Sequence, residues 1–106
     1  MNRVTKIKRI EDEVRKRLKL VMDPELHVNI VDLGLVYGIE VDKEGLCTVI
    51  MTLTTPGCPM IPLFEAMINS ALKKVPQVKE VKINLTFEPP WDASKMTEET
   101  RVALGF

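Results

Sequence analysis

The sequence predicts one α+β domain, a two-layer α/β sandwich with the element order α-β-β-α-β-α, in which helices cover one face of a three-stranded mixed sheet. The chain has 106 residues, of which 45% are hydrophobic and 28% are charged, as expected of a single compact domain. Apolar residues recur every three or four positions in two segments, which is typical of amphipathic helices. They alternate with polar residues in three other segments, which is typical of strands buried on one side.

The first helix is predicted from Ile7 to Val21, where the apolar residues fall on one helical stripe. Residues 1–9 are assigned to a loose extension of this helix, within a single domain that spans 1–106. Asp23-Pro24 is predicted to end the helix, because proline pushes the preceding residue out of the helical conformation. Asp32-Leu33-Gly34 then predicts a turn before the first strand.

Two strands joined by a short turn are predicted next, at Leu35–Val41 and Leu46–Leu53. The turn between them, Asp42-Lys43-Glu44-Gly45, has a glycine where a tight turn favours positive φ, so the strands are predicted to form a hairpin. A third strand is predicted around residues 81–87. The residues predicted to share one face of the first strand are Leu35, Tyr37, Ile39 and Val41, with Val36, Gly38 and Glu40 on the other face.

Two further helices complete the predicted fold. The second is predicted to begin close to Cys58 and to run to about Val75, because Pro59 is tolerated in a first helical turn and Pro76 ends the pattern. The last is a short helix that Thr97 caps, with acidic residues following in its first turn.

The charges sum to zero but are unevenly distributed, since residues 1–22 carry eight Lys or Arg against three Asp or Glu, and residues 23–106 carry seven against twelve. A basic helix of this kind is most often a solvated face, and the acidic remainder would repel phosphate, so no nucleic-acid partner is expected. No apolar run approaches ~20 residues and no signal peptide is recognisable, so no membrane association is expected. The expected location is the reducing cytoplasm, with both thiols free.

Cys58 is the residue that most suggests chemistry, because it lies beside Gly57 at the predicted mouth of the second helix. Unpaired amides and the helix dipole favour a thiolate there, and a thiolate can bind iron. The alternative is a small buried cysteine in a turn. Cys47 shares a strand face with apolar residues and is predicted to lie in the core. His27 is predicted to be a surface or packing residue.

Six other residues are candidates for binding. Asp23 and Glu25 could offer carboxylate ligands, with turn capping as the alternative. Thr54 and Thr55 could donate hydrogen bonds to a sulfide or carboxylate, with loop capping as the alternative. Gly57 lets backbone and ligand approach closely. Trp91 is predicted to be a lid on the core, a position that could also cover the thiol.

Four motifs then stand in a characteristic order: Asp23-Pro24-Glu25-Leu26; VDLGLVY at residues 31–37; Thr54-Thr55-Pro56-Gly57-Cys58-Pro59; and Pro89-Pro90-Trp91 with Met96 and Arg101. Together they resemble the metal-sulfur cluster biosynthetic family, which includes SufT-like, PaaD-like and MIP-eighteen-like proteins. The resemblance covers residues 10–106. It implies that Cys58 is the reactive, metal-binding cysteine, that Asp23 and Glu25 form the acidic turn, and that Thr54, Thr55, Trp91 and Arg101 belong to the site. The cysteine-rich extension of PaaD-like proteins has no counterpart after Cys58, which argues against a role as an oxygenase accessory protein. No nucleotide-binding domain follows as in the cluster-carrier ATPases, so a free-standing form is expected.

The expected function is that of an accessory factor in iron-sulfur cluster assembly or transfer, and not of an enzyme. One chain offers one suitable thiolate whereas a cluster usually needs four ligands, so a transient cluster or iron would be shared. The sharing partner is expected to be a second copy, as in a homodimer, or a scaffold, carrier or client protein. Two alternatives stay open: an adaptor that recruits the assembly machinery without binding metal, and a thiol-dependent enzyme that uses Cys58. Folding is not expected to need a cofactor.

Overall fold

The computed structural model describes residues 3–24, 26–54 and 61–106, and side chains from residue 6 onward. The predicted order of elements is confirmed. They are α1 (Arg3–Leu18), β1 (Val36–Val41), β2 (Leu46–Met51), α2 (Ile61–Leu72), β3 (Glu80–Leu85) and α3 (Glu98–Leu104), with a short 3-10 helix at Ala93–Lys95. No helix in these described ranges is long and apolar enough to cross a membrane.

The three strands form one mixed sheet, as predicted, and the structure shows that their order is β1-β2-β3, which the sequence did not predict. β1 and β2 pair antiparallel as a hairpin, whereas β2 and β3 are parallel. β2 and β3 therefore end at the same edge of the sheet. We call this edge, with the segments bonded to it (residues 21–36, 51–54 and 85–97), the strand-exit end. The opposite edge, with the turn 42–45 and the connection 73–79, is the hairpin end.

The core lies between one face of the sheet and the helices. Burying a large aliphatic side chain contributes roughly 1.5–3 kcal/mol, so this layer supplies most of the favourable free energy of folding. The opposite face of β3 is polar and exposed at Lys82 and Asn84. The buried residues of the strands and helices include Val14, Leu18, Val41, Cys47, Val49, Met51, Phe64, Ile68 and Leu72.

Helix α1 ends at Leu18, so the prediction that it continues to Val21 is wrong. The amide of Val21 donates to the carbonyl of Leu18 at 3.0 Å, a tighter turn than the α-helix makes. Met22 then pairs with Asn29 in an isolated bridge. Val21 continues the apolar stripe because it is buried, but it packs into the core from this turn.

The predicted faces of β1 are also partly wrong, because the alternation is interrupted. The register with β2 shifts between Val36 and Gly38, and Val36 lies opposite the buried Met51. Residues opposite each other in an antiparallel pair share a face, so Val36 lies on the core side. The inserted residue, Tyr37, forms a bulge that the two-residue period of the sequence does not reveal.

The predicted cap of α3 is confirmed, since the hydroxyl oxygen of Thr97 accepts a hydrogen bond from the amide of Thr100. Glu98 and Glu99 occupy the first turn, where the helix dipole favours carboxylates. Met96, just before the cap, is buried in the core cluster. The C-terminal segment is therefore part of the domain's packing.

Candidate functional site

The structure describes four of the predicted site residues: Asp23, Thr54, Trp91 and Arg101. The other four, Glu25, Thr55, Gly57 and Cys58, lie outside the described residues. The described segments on both sides of them can nevertheless be located. They all lie at the strand-exit end.

A chain of backbone hydrogen bonds joins the segments of the strand-exit end. The amide of Ile30 donates to Val21 at 3.0 Å, and the amide of Leu35 donates to Ile30 at 3.0 Å. The amide of Thr52 then donates to Leu35 at 2.8 Å. On the other side of β2, the amide of Thr86 donates to Met51 at 2.9 Å. The segment before the predicted acidic turn and the end of β2 are thus joined by successive backbone hydrogen bonds.

Trp91 attaches the C-terminal segment to this network. Its indole Nε1–H donates to the carbonyl of Leu33 at 2.8 Å, and its ring is half-buried against the core. The amide of Thr97 donates to the carbonyl of Asp32 at 3.0 Å. The lid-like position predicted for Trp91 is consistent with these contacts, and its N–H is used to fix the segment in place.

Asp23 has a structural role in the turn after α1. It is 9% exposed, and its Oδ1 accepts a hydrogen bond from the amide of Leu26 at 2.9 Å. The amide of His27 donates to the backbone carbonyl of Asp23 at 2.8 Å. Turn capping, the alternative for Asp23, is therefore what this oxygen does. His27 itself is exposed and has a positive φ of 57°, as expected of a surface turn residue.

Arg101 lies one turn into α3 and is half-buried. Its Nε–H is buried and has no hydrogen-bond partner among the residues that the structure describes. Leaving such a donor without an acceptor costs about 1–3 kcal/mol. An anionic acceptor beside Arg101 would remove that cost, so this side chain favours the binding of an anion.

Thr54 and Ile61 flank the stretch that contains Cys58. Thr54 is exposed and follows the buried Leu53, while Ile61 begins α2. Leu53 and Ile61 line the same small cavity of about 120 Å³. The remaining lining residues are apolar apart from Glu65, and they come from the ends of β2 and β3 and the first turn of α2: Met51, Phe64, Ile83 and Leu85.

Cys47 is unsuited to metal binding. It is fully buried, and burial together with the charge of Glu11 raises the pKa of its thiol to about 11. A thiol with that pKa stays protonated near neutral pH and does not act as a thiolate ligand. The prediction that Cys47 is a core residue is confirmed. Among the described side chains, no group of three His, Cys, Asp or Glu is placed to hold a metal ion.

Two polar arrangements at the strand-exit end were not predicted from the sequence. Two hydrogen bonds join Asn29 and Asp32. The Nδ2–H of Asn29 donates to Oδ2 of Asp32 at 2.8 Å, and the amide of Asp32 donates to Oδ1 of Asn29 at 2.9 Å. Tyr37 donates its hydroxyl hydrogen to the carbonyl of Pro89 at 2.8 Å, and the Lys95 ammonium lies 5.7 Å from its ring centre. Burial and the nearby Asp92 raise the pKa of Tyr37, so it remains a donor. The three-residue spacing of Asn29 and Asp32, which is that of a capping box, is a signal that could have indicated the first arrangement.

The sequence also matches a known protein family. Residues 11–85 match the model of the iron-sulfur cluster assembly protein family. The chain belongs to this family. It is 44% identical over 86 residues to the Fe-S protein maturation auxiliary factor SufT of Staphylococcus aureus, which covers 81% of this chain and 98% of that one. It is 40% identical over 96 residues to the auxiliary factor YitW of Bacillus subtilis, with 91% and 94% covered.

The fold is that of a solved structure of the same family. A crystal structure of a DUF59 domain of unknown function from Bacillus anthracis superimposes with a TM-score of 0.91, at 35% identity, over 97% of this chain and 98% of that one. The α+β architecture predicted from the sequence is therefore confirmed. The relatives of the iron-sulfur cluster assembly family named above are called auxiliary factors and not enzymes.

Proposed function

We propose that this protein is an accessory factor that helps assemble iron-sulfur clusters or transfer them to client proteins, with Cys58 as the thiolate of a shared, transient site. The cluster is cargo and not a resident cofactor. The scaffold, carrier or client that receives it supplies the remaining ligands, or a second copy of the chain does. A cytoplasmic location stays a prediction of the sequence.

The observation that carries the proposal is the difference between the two cysteines. Cys47 is fully buried and its pKa is raised to about 11, so it stays protonated near neutral pH and does not act as a thiolate ligand of a metal. Cys58 is the only other cysteine in the sequence. Any thiolate that this protein offers to iron at neutral pH must therefore come from Cys58, and one thiolate per chain is too few to store a cluster.

The surroundings of the strand-exit end support the same role. In the sequence, Cys58 stands between Thr54 and Ile61, which both lie at that end. Thr54 is exposed and can donate a hydrogen bond to a sulfide. The Nε–H of Arg101 on α3, which has no partner in the described part of the chain, favours an anion, and a thiolate-bound cluster is anionic. Weak holding by one thiolate and a few hydrogen bonds suits a cargo that must be released.

The direct test compares wild type with Cys58→Ser and with the matched control Cys47→Ala. Each protein is purified without oxygen, supplied with iron and sulfide, and mixed with an apo iron-sulfur enzyme whose activity reports cluster transfer. We expect Cys58→Ser to lose both bound iron and transfer. Cys47→Ala should keep both, because the change removes only a small buried group and leaves the thiolate site intact.

Three outcomes would contradict the proposal. Equal transfer by wild type and Cys58→Ser would exclude a thiolate role. Client maturation and partner capture that persist in Cys58→Ala would favour the adaptor. Stoichiometric labelling of Cys58 by a small electrophile, with protection by an organic substrate, would favour a thiol enzyme. Cys47 serves as a folding control in each of these experiments. In the native protein it should resist thiol reagents near pH 8, and it should react only when the protein unfolds.

Arg101 gives a second test, because its functional and structural effects have opposite signs. Replacing it by leucine (Arg101→Leu) removes a buried donor that has no acceptor among the described residues, so the free energy of unfolding should stay within about 1 kcal/mol of wild type or increase. Cluster transfer should nevertheless fall about tenfold, the size expected for a residue that supports a metal ligand. A parallel loss of stability and transfer would make Arg101 merely structural.

A further inference from the structure

A groove at the hairpin end is lined by five basic residues from three separate parts of the fold: Lys6, Arg9, Arg17, Lys43 and Lys74. We call it the basic groove. Its volume is about 810 Å³. α1 forms one wall, and the hairpin turn and the connection after α2 form the other. It lies at the opposite end of the sheet from the segments that flank Cys58.

The negative charges in the basic groove are already engaged. Glu13 pairs with Arg17, with 3.5 Å between Oε1 and Nε. Asp42 uses its Oδ1 to accept hydrogen bonds from the amides of Glu44 and Leu46, both at 2.9 Å, which hold the turn. The lining as a whole has five cations against two carboxylates, which leaves a surplus of three positive charges.

Four cations are left without an opposite charge. Lys6, Arg9, Lys43 and Lys74 are exposed, and none of them makes an ion pair with another described residue. The groove also has apolar surface between them, contributed by Ile7, Ile10 and Pro76. A cationic rim around an apolar floor is complementary to a segment that carries both carboxylates and apolar side chains.

We propose that the basic groove docks an acidic, partly apolar peptide segment of a protein partner. A nucleic acid fits less well, because its affinity comes from many phosphates along an extended basic surface and residues 23–106 carry a net charge of −5 (seven Lys or Arg against twelve Asp or Glu). A small anion also fits less well, because the cations lie on an exposed rim and do not converge in a buried pocket. This inference does not depend on the role of Cys58.

The test measures binding of a fluorescent short peptide, in which glutamates flank a pair of leucines, by anisotropy to the full chain. The groove variant is Arg9→Gln with Lys43→Gln, which removes one cation from each wall. The control is Lys16→Gln with Lys19→Gln, which removes the same charge from exposed positions near the end of α1 that do not line the groove. Circular dichroism establishes that both variants are folded.

We expect the groove variant to weaken binding about tenfold, equivalent to about 1.4 kcal/mol, while the control stays within about twofold of wild type. Replacing the glutamates of the peptide by glutamine, or its leucines by serine, should also weaken binding. Higher salt should weaken binding to wild type, since exposed charges are screened over about 10 Å at 0.1 M salt.

Four results would overturn the proposal. The first is that the peptide does not bind, and the second is that both variants lose the same peptide affinity. The third is tight binding of a single-stranded oligonucleotide that the groove variant abolishes. The fourth is self-association of the wild-type chain that the groove variant abolishes, because the occupant would then be a second copy. Since none of these measurements involves iron, failure of the docking proposal is distinguishable from failure of the proposed function.

Discussion

The two ends of the sheet are built in opposite ways. At the strand-exit end, segments far apart in the sequence are joined by short hydrogen bonds, such as the one between Trp91 and Leu33, 58 residues apart. At the hairpin end, the chain makes a local turn, and four of the five cations that line the basic groove lack ionic partners among the described residues. The polar groups of the strand-exit end bond mainly to other parts of the chain, whereas most cations at the hairpin end have no ionic partner among the described residues.

Because of this difference, substitutions at the two ends should affect different properties, stability at one end and binding at the other. Substitutions at the strand-exit end should lower the free energy of unfolding, because they break contacts between segments that no local turn would restore. Substitutions of the exposed cations on the rim of the basic groove should leave the free energy of unfolding almost unchanged and affect only association. The predictions that follow test this separation, from the largest expected change in stability to the smallest.

The largest effect is expected for Gly34→Ala at the strand-exit end. Gly34 has a φ of +76°, and a Cβ placed on it would lie 2.1 Å from the carbonyl oxygen of Lys95. The new methyl group must displace the backbone of the C-terminal segment, in addition to the cost of positive φ. We expect a loss of about 3 kcal/mol in urea or thermal unfolding.

Gly105→Ala is the matched control for that change. Gly105 has a similar φ of +80°, but a Cβ there would meet nothing within 4 Å. Gly105→Ala should lower the free energy of unfolding by only about 1 kcal/mol, the cost of holding alanine at a positive φ. If Gly34→Ala and Gly105→Ala cost the same, the contact between Gly34 and the C-terminal segment contributes nothing.

The next effect is expected for Gly45→Ala, at the hairpin end. Gly45 has a φ of +91°, and the added Cβ would lie 2.4 Å from Cγ of Lys79 and 3.0 Å from the carbonyl oxygen of Gln77. The flexible Lys79 side chain can move aside, whereas the Lys95 backbone beside Gly34 cannot do so without breaking the packing. We expect about 2 kcal/mol, between the other two glycines, in the same unfolding assay.

A smaller effect is expected for Trp91→Phe, which keeps an aromatic ring but removes the N–H that bonds Leu33. Losing this partly buried hydrogen bond should cost about 1 kcal/mol. Tyr37→Phe is the control, since it removes a bond of equal length, 2.8 Å, to the same C-terminal segment, but one whose acceptor belongs to the exposed residue Pro89. It should cost less than about 0.5 kcal/mol. Equal losses would show that burial does not determine the strength of these attachments.

The fold could be predicted from the sequence because each element has a clear period. The spacing of Phe64, Ile68 and Leu72 gives α2, and the alternation of β3 gives its buried and exposed faces. The end of α1 could not be predicted, because Val21 continues the apolar stripe after the helix has stopped. The bulge at Tyr37 was missed for a similar reason, since the insertion leaves the sequence still alternating on both sides.

The candidate site could be predicted only in part, because its geometry depends on contacts between distant segments. The sequence indicated Trp91 and Arg101, but the partner of Trp91, Leu33, and the buried unpaired Nε–H of Arg101 follow from tertiary packing. The basic groove is a stronger example. A surplus of cations in residues 1–22 is visible in the sequence, yet its combination with Lys43 and Lys74 requires α1 to lie against two turns.

The smallest change in stability is expected for Arg9→Gln with Lys43→Gln, the groove variant. Both side chains are exposed and make no ion pair with a described residue, so nothing that holds the fold is lost. The free energy of unfolding should stay within about 0.5 kcal/mol of wild type, because exposed charges contribute little to stability. Removing two of several nearby cations also relieves their mutual repulsion, so any change should be toward higher stability at low salt. A loss comparable to that of Trp91→Phe would mean that the cations support the fold itself, and the contrast between the two ends would then be wrong.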